Sequence, residues 1–199
     1  MRAARGMAIV AAFACFACKS EAPAPSRDDC RDASAAAASA NVAGLVDPAL
    51  VAFLSKARAV HLQADLAEGS GDAGEAIRLL EGLVRAPTLG GERPSPEVRE
   101  VLADTSARLA ELEAAGGDLE AARQSVRRGM TLATERTHYR GRLFEVLGAI
   151  ERRDHDERRA RGDEAGARAA KERSVAALRE AVATQEEVIQ RALEGGRSP

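Results

Sequence analysis

The chain has 199 residues, 45% of them hydrophobic and 3% aromatic, with no Trp and with 29 Lys and Arg against 31 Asp and Glu. That length suits one modest domain, and the composition excludes collagen-like and multi-domain chains. A formal net charge of −2 provides no basic excess to neutralise a phosphate backbone, and no single-sign patch occurs locally, so nucleic acid is not an expected partner.

Residues 1–18 read MRAARGMAIVAAFACFAC. Arg2 and Arg5 form a basic start, and the uncharged run from Met7 to Ala17, at about eleven residues, is too short to cross a hydrocarbon core roughly 30 Å thick as a helix. The pattern predicts a cleaved secretory signal over residues 1–17. Small Ala residues precede both Cys15 and Cys18, and the chain turns polar at Lys19. This arrangement resembles the lipobox of bacterial lipoproteins, which implies a cysteine that takes a diacylglycerol and becomes the new N-terminus. Cys18 is the expected site, because apolar character stops at Ala17, and Cys15 is the alternative; a plain signal cut near Ala17 or Ala22 and an uncleaved anchor are the readings without lipid. With Cys18 acylated, Cys30 is the remaining thiol in an oxidising compartment, free or paired between molecules; with Cys15 acylated, Cys18 and Cys30 could close a small loop. Loss of Arg2 and Arg5 with the signal leaves 27 basic and 31 acidic residues, a mild formal −4. Later stretches fall short of the roughly 18 consecutive apolar residues of a transmembrane helix. The expected location is therefore outside the cytoplasm, held at a membrane by the N-terminal lipid on the periplasmic or cell-surface side.

Residues 18–46 are rich in Ala, Ser, Pro and Asp and almost free of large apolar side chains. Such a segment buries too little surface to offset its ordering entropy, which predicts a tether. A helical domain is expected over 47–196. Asp47-Pro48 opens it, Asp as the N-cap and Pro at the first helical position, where its missing N–H costs nothing. The first helix runs from Pro48 to about Glu68, with Leu50, Phe53, Leu54, Ala57, Val60 and Ala64 at three- and four-residue steps. A second carries Ala76, Ile77, Leu80, Leu83 and Val84 and stops before Pro87. Ser95-Pro96 repeats the cap-and-Pro start, and Val98, Val101, Leu102, Leu109 and Leu112 mark the third helix, closed by Gly116-Gly117. Leu119, Ala122, Val126 and Met130 are the inward positions of a fourth, and Leu143, Phe144, Leu147 and Ile150 those of a fifth. The sixth carries Val175, Leu178, Val182, Ile189 and Leu193 near a 3.5-residue period, which also suits a coiled-coil seam. Period-two alternation is absent over any strand's length, so the fold class is all-α.

One punctuation mark recurs: Gly71-Asp72, Gly117-Asp118 and Gly162-Asp163, spaced by 46 and 45 residues, each followed at a fixed offset by Ala76, Ala122 or Ala167. Gly ends one helix in a left-handed conformation and Asp caps the next. A turn this short predicts antiparallel helical hairpins, stacked so that each covers its neighbour's apolar face. The phrases from Gly71 to Leu80 and from Gly117 to Ala122 resemble the turn and second-helix opening of tetratricopeptide repeats, and Leu147-Gly148 resembles the Leu-Gly pair of that family's first helix. The resemblance implies a short helical array of about six helices that binds another polypeptide along a groove lined by the first helix of each hairpin. The longer period here predicts elongated helices.

Chemistry-bearing motifs are sparse. His61 stands four residues before Asp65, within reach on one helix face; His138 lies in no motif; and Asp154-His155-Asp156 cannot converge on one ion, because adjacent helical residues point about 100° apart. The stretch 151–173 holds eight basic and seven acidic residues and no apolar side chain larger than Ala, which predicts a solvated hairpin tip with Asp154–Arg158 and Glu157–Arg161 pairs. Phosphate loops, paired-cysteine spacings and nucleophile elbows are missing. The expectation is a protein-binding or scaffold module of the bacterial cell envelope, not an enzyme, with no catalytic, cofactor or metal residues. Alternatives are a structural protein that self-associates as a homo-oligomer through its long last helix, and an envelope enzyme whose site follows no known motif.

Overall fold

Three Gly-Asp turns divide the residues described by the computed structural model, 47–195, into three pairs of helices. The expected signal, Cys15, Cys18, Cys30 and the tether up to residue 46 lie outside the described residues. The first pair is α1 (Pro48–Gly69) and α2 (Ala73–Arg85), the second α3 (Pro96–Ala115) and α4 (Leu119–Leu132), the third α5 (His138–Ala160) and α6 (Glu164–Gly195). Among the described residues every regular element is α-helical and there is no strand.

Local chemistry sets the helix starts. The Asp47 carboxylate accepts from the Ala49 amide at 2.8 Å, and Ser95 Oγ accepts from the Val98 amide at 3.4 Å, each just ahead of a Pro. Asp72, Asp118 and Asp163 accept from the amides of Glu75, Ala121 and Gly166, all at 2.9 Å. Those three bonds belong to one turn built three times. Gly71, Gly117 and Gly162 have φ of 87°, 91° and 77°, and the amide of the following Asp reaches back to the carbonyl of Ala67, Glu113 or Arg158. This is the six-to-one bond by which a left-handed residue closes a helix. Ala76, Ala122 and Ala167 are all buried where the new helix meets the old.

A Cβ at Gly71, Gly117 or Gly162 would meet nothing within 4 Å, so the cost of a side chain there is backbone strain alone. Gly117→Ala should therefore lose about 1–2 kcal/mol in urea denaturation, and Gly71→Ala and Gly162→Ala should lose similar amounts. Gly117→Asn should lose less than half as much, because Asn tolerates the left-handed region. Unequal losses among the three would mean that the turns are not equivalent.

The second pair holds the centre. Helix α3 packs against α1, α2, α4 and α5, and carries ten buried residues. Toward the first pair, Leu102, Leu109 and Leu112 meet Ala57, Ala64, Leu80 and Leu83; toward the third, Ala103, Ala107 and Ala110 meet Leu143, Val146 and Ile150, with Val126 of α4. Burying each of the larger of these side chains contributes roughly 1.5–3 kcal/mol, which links the pairs through apolar contact. Alanines on α3 where leucines face the other way let α5 approach closely.

The sixth helix departs from the large-residue pattern. Its buried positions are Ala167, Ala170, Ser174, Ala177, Ala181 and Thr184, while Val175, Leu178, Val182, Ile189 and Leu193 are exposed. Among the described residues helix α6 packs only on α5, whose Gly141 and Gly148 leave room for it: a Cβ on Gly148 would stand 2.6 Å from Leu178 Cγ. Hydrogen bonds pair Ala167 with His155, Ser174 with Gly148 and Gln185 with His138, so the two helices run past each other in opposite directions. Small residues permit that close approach; large ones in the same face would hold the axes apart.

One acid sits badly in this interior. Glu113 on α3 is buried and its Oε2 has no partner, so burial pushes its carboxyl above the ordinary range, opposed by Ser125. A raised folded-state pKa contributes stability below the unfolded value that is lost as pH rises through the folded value. Glu113→Gln should accordingly raise the melting temperature at pH 7 and have a vanishing effect near pH 3. A gain that is equal at both pH values would assign the effect to something other than ionisation.

Candidate functional site

Helices α4 and α6 do not touch; they stand on either side of α5, and the space between them is a groove of about 1170 Å³. Met130 of α4, Phe144 and Leu147 of α5, and Ala176 and Ala177 of α6 make its apolar lining. Phe144 and Leu147 reach the groove because α5 buries Leu143, Val146 and Ile150 beneath it and turns the adjacent positions outward. The small residues of α6 that admit close packing on α5 also keep that wall low.

A cluster of five charged side chains forms one end of the groove. Glu151 and Asp154 of α5 are buried, with side chains only 4% and 6% exposed. Arg123 of α4 donates through Nε to Glu151 at 2.7 Å and through Nη2 to Asp154 at 2.8 Å. Arg173 of α6 donates to the same two acids at 2.7 and 3.1 Å, and Arg158 donates to Asp154 at 2.8 Å. The carboxylate of Glu151, followed by the charge of Asp154, raises the Arg123 guanidinium above its ordinary value; Asp154 and Asp163 do the same for Arg158. Arg158 also pairs with Asp163 at 3.0 Å, so three arginines meet three acids and the cluster is close to neutral. Because every acid oxygen has a donor, burial costs less than it would for a lone carboxylate.

At the other end Arg140 lies over the Phe144 ring at 5.4 Å and donates to the Ala133 carbonyl at 2.5 Å. Its charge is not cancelled by an ion pair among the described residues. Arg127 at the rim is paired with Glu120, whose carboxyl is held below its ordinary range by that contact. In all, six arginines and four acids line the groove. It offers an apolar floor between a balanced ion cluster at one end and the uncancelled charge of Arg140 at the other, which matches apolar side chains with a carboxylate at the Arg140 end.

Contrary to expectation, the stretch 151–173 is not a wholly solvated tip, because Glu151 and Asp154 face inward onto Arg123 and Arg173; Asp154–Arg158 and Glu157–Arg161 are the expected local pairs, joined by Arg153–Glu157. The groove lies between second members, α4 and α6, whereas the first helices α3 and α5 border a smaller hollow of about 350 Å³ beside Glu111, Ala115 and Val146. The histidines do not converge. His61 Nε2 meets Thr105 Oγ1 at 2.9 Å rather than Asp65, His155 Nδ1 donates to the Ala167 carbonyl at 2.8 Å, and His138 meets Gln185. Among the described residues no three His, Cys, Asp or Glu side chains gather as metal ligands, and no helix is long and apolar enough to cross a membrane.

Fold and groove together define an all-α protein of three helix pairs with a charged-ended apolar cleft. No family model, no curated protein and no solved structure matches the chain.

Proposed function

We propose that the chain is an exported, lipid-anchored helical-repeat protein of the bacterial cell envelope that binds another polypeptide in the groove between α4 and α6. The single observation that supports this reading is the groove itself: half-buried Met130, Phe144 and Leu147 along its floor between the Arg123–Glu151–Asp154 cluster and Arg140. A segment with apolar side chains and a carboxylate at the Arg140 end complements it in both shape and charge. On this reading acylation at Cys18 holds the domain at a membrane, residues 19–46 give it reach, and the tetratricopeptide-like stacking of the three pairs supplies a rigid wall. The lipobox and repeat resemblances carry the address and the class, and the groove carries the binding.

A photo-cross-linking residue placed at Met130 or at Ala176 should capture the same envelope polypeptide in intact cells, and one placed at Leu62, on the far face of α1, should not. Arg140→Glu should reduce that capture several-fold. Capture of one common set from all three positions would remove the groove as the binding surface. Mass spectrometry of the mature N-terminus tests the anchor separately: a diacylglyceryl group on Cys18 is expected, and a bare start at Ser20 or Glu21 would end that part of the reading.

A further inference from the structure

The large hydrophobic side chains left exposed are all on the first and last helices, and five of the eight form one stripe on α6. Val175, Leu178, Val182, Ile189 and Leu193 lie at steps of three, four, seven and four residues, and Val182 and Ile189 are 58% and 56% exposed. Helix α6 is 32 residues long, roughly 48 Å, and its other face is already committed to α5. Each earlier pair is covered by the next along the chain. Nothing among the described residues covers the third pair in the same way, and this stripe is its unsheltered apolar face.

Its flank carries the information about what does. Arg179 and Glu186 stand seven residues apart beside the stripe, both exposed, and neither makes an ion pair among the described residues. Most of the other charges on α6 that border α5 are spent on it or on the loop before it, as with Arg173, Glu180, Glu187 and Arg191. A second copy of α6, laid along the first in the opposite direction about a two-fold axis near Val182, brings the Val175 end of each helix to the Ile189 end of the other. The same operation sets Arg179 of each copy beside the partner's Glu186, twice over, and aligns the helix dipoles head to tail. A parallel pairing would put the two copies' Arg179 and Glu186 on opposite sides of the seam, where they could not meet. We propose that the exposed face of α6 is a self-association seam at which two copies of the chain pair antiparallel through Val175, Leu178, Val182 and Ile189, with reciprocal Arg179–Glu186 pairs fixing the direction.

This seam is separate from the groove proposed to bind a polypeptide; Arg179 stands on the ridge between them, so the decisive variants change Glu186 first. Sedimentation equilibrium of the full chain in density-matched detergent should give a dimer. Val182→Lys combined with Ile189→Lys should give a monomer of unchanged helicity. Glu186→Arg alone turns two attractions into two repulsions and should weaken dimerisation roughly tenfold, and Arg179→Glu in the same chain should restore it. A monomeric parent chain at every concentration overturns the proposal, as does a lysine variant that stays dimeric. A charge-swapped chain as weak as Glu186→Arg alone overturns the antiparallel arrangement.

Discussion

Truncating Glu151 to Ala should cost the fold about 2–3 kcal/mol in urea denaturation, whereas Arg173→Ala, a partner in the same cluster, should cost less than about 1 kcal/mol. Burial decides the asymmetry. The Glu151 side chain is 4% exposed and takes bonds from Arg123 and Arg173, so its loss leaves both guanidinium groups dependent on Asp154, which Arg158 also shares while keeping Asp163. Arg123 is only 19% exposed and has little water to turn to, whereas Arg173 is about half in solvent and recovers hydration when released. The figure for Glu151 lies below the usual 3–5 kcal/mol for breaking a buried pair because part of the cluster can be rehydrated. Glu151→Gln should fall between the two, since the amide oxygen still accepts one bond while the charge is gone. The loss should persist in high salt, because a pair shielded from solvent is weakly screened. Equal losses for Glu151→Ala and Arg173→Ala would show that the cluster behaves as a surface network and contributes little to holding α4, α5 and α6 together.

That cluster also marks where a linear reading of the chain fails. Starts and stops of helices depend on two or three adjacent residues, so Asp47-Pro48, Ser95-Pro96 and the Gly-Asp turns are readable directly, as are the inward faces of α1 to α4; on α5 Leu143 and Ile150 face inward, whereas Phe144 and Leu147 line the groove. The acids at 151 and 154 were read as solvated because their neighbours alternate in sign, and the Arg123 that binds them stands 28 residues earlier, on a different helix. A local signal did exist: Leu143, Leu147, Ile150 and Asp154 continue one stripe at steps of four, three and four residues. An acid on an apolar stripe needs a buried cation. For α6 the difficulty was the reverse. Large side chains are expected inside, but close packing on Gly141 and Gly148 selects Ala, Ser and Thr instead, and it turns Val182 and Ile189 outward. Only the pairing of two distant small-residue faces reveals this, and each face alone resembles a weak helix.

The same close packing, between α4 and α5, makes two substitutions that are each harmful alone compensate when combined. Leu143 is fully buried, and Leu143→Ala should cost about 3 kcal/mol, from lost transfer energy and from the cavity left between α3, α4 and α5. Gly129 on α4 faces it: a Cβ there would stand 2.5 Å from Leu143 Cδ2 and 3.1 Å from Ser106 Cβ. The first contact is too close and the second is tight, so Gly129→Ala should destabilise the parent chain by about 1–2 kcal/mol despite the helix propensity it gains. In the Leu143→Ala chain the Leu143 methyl groups are gone and only the tight Ser106 contact remains. The added methyl then occupies part of the cavity and the propensity gain of up to about 1 kcal/mol is realised, so Gly129→Ala should become stabilising there. The double-mutant cycle should return a coupling of at least about 1.5 kcal/mol, with a change of sign for Gly129→Ala between the two backgrounds. Additivity within about 0.5 kcal/mol would mean that Leu143 already moves aside at no cost, and that the interface between the second and third pairs is looser than this geometry requires.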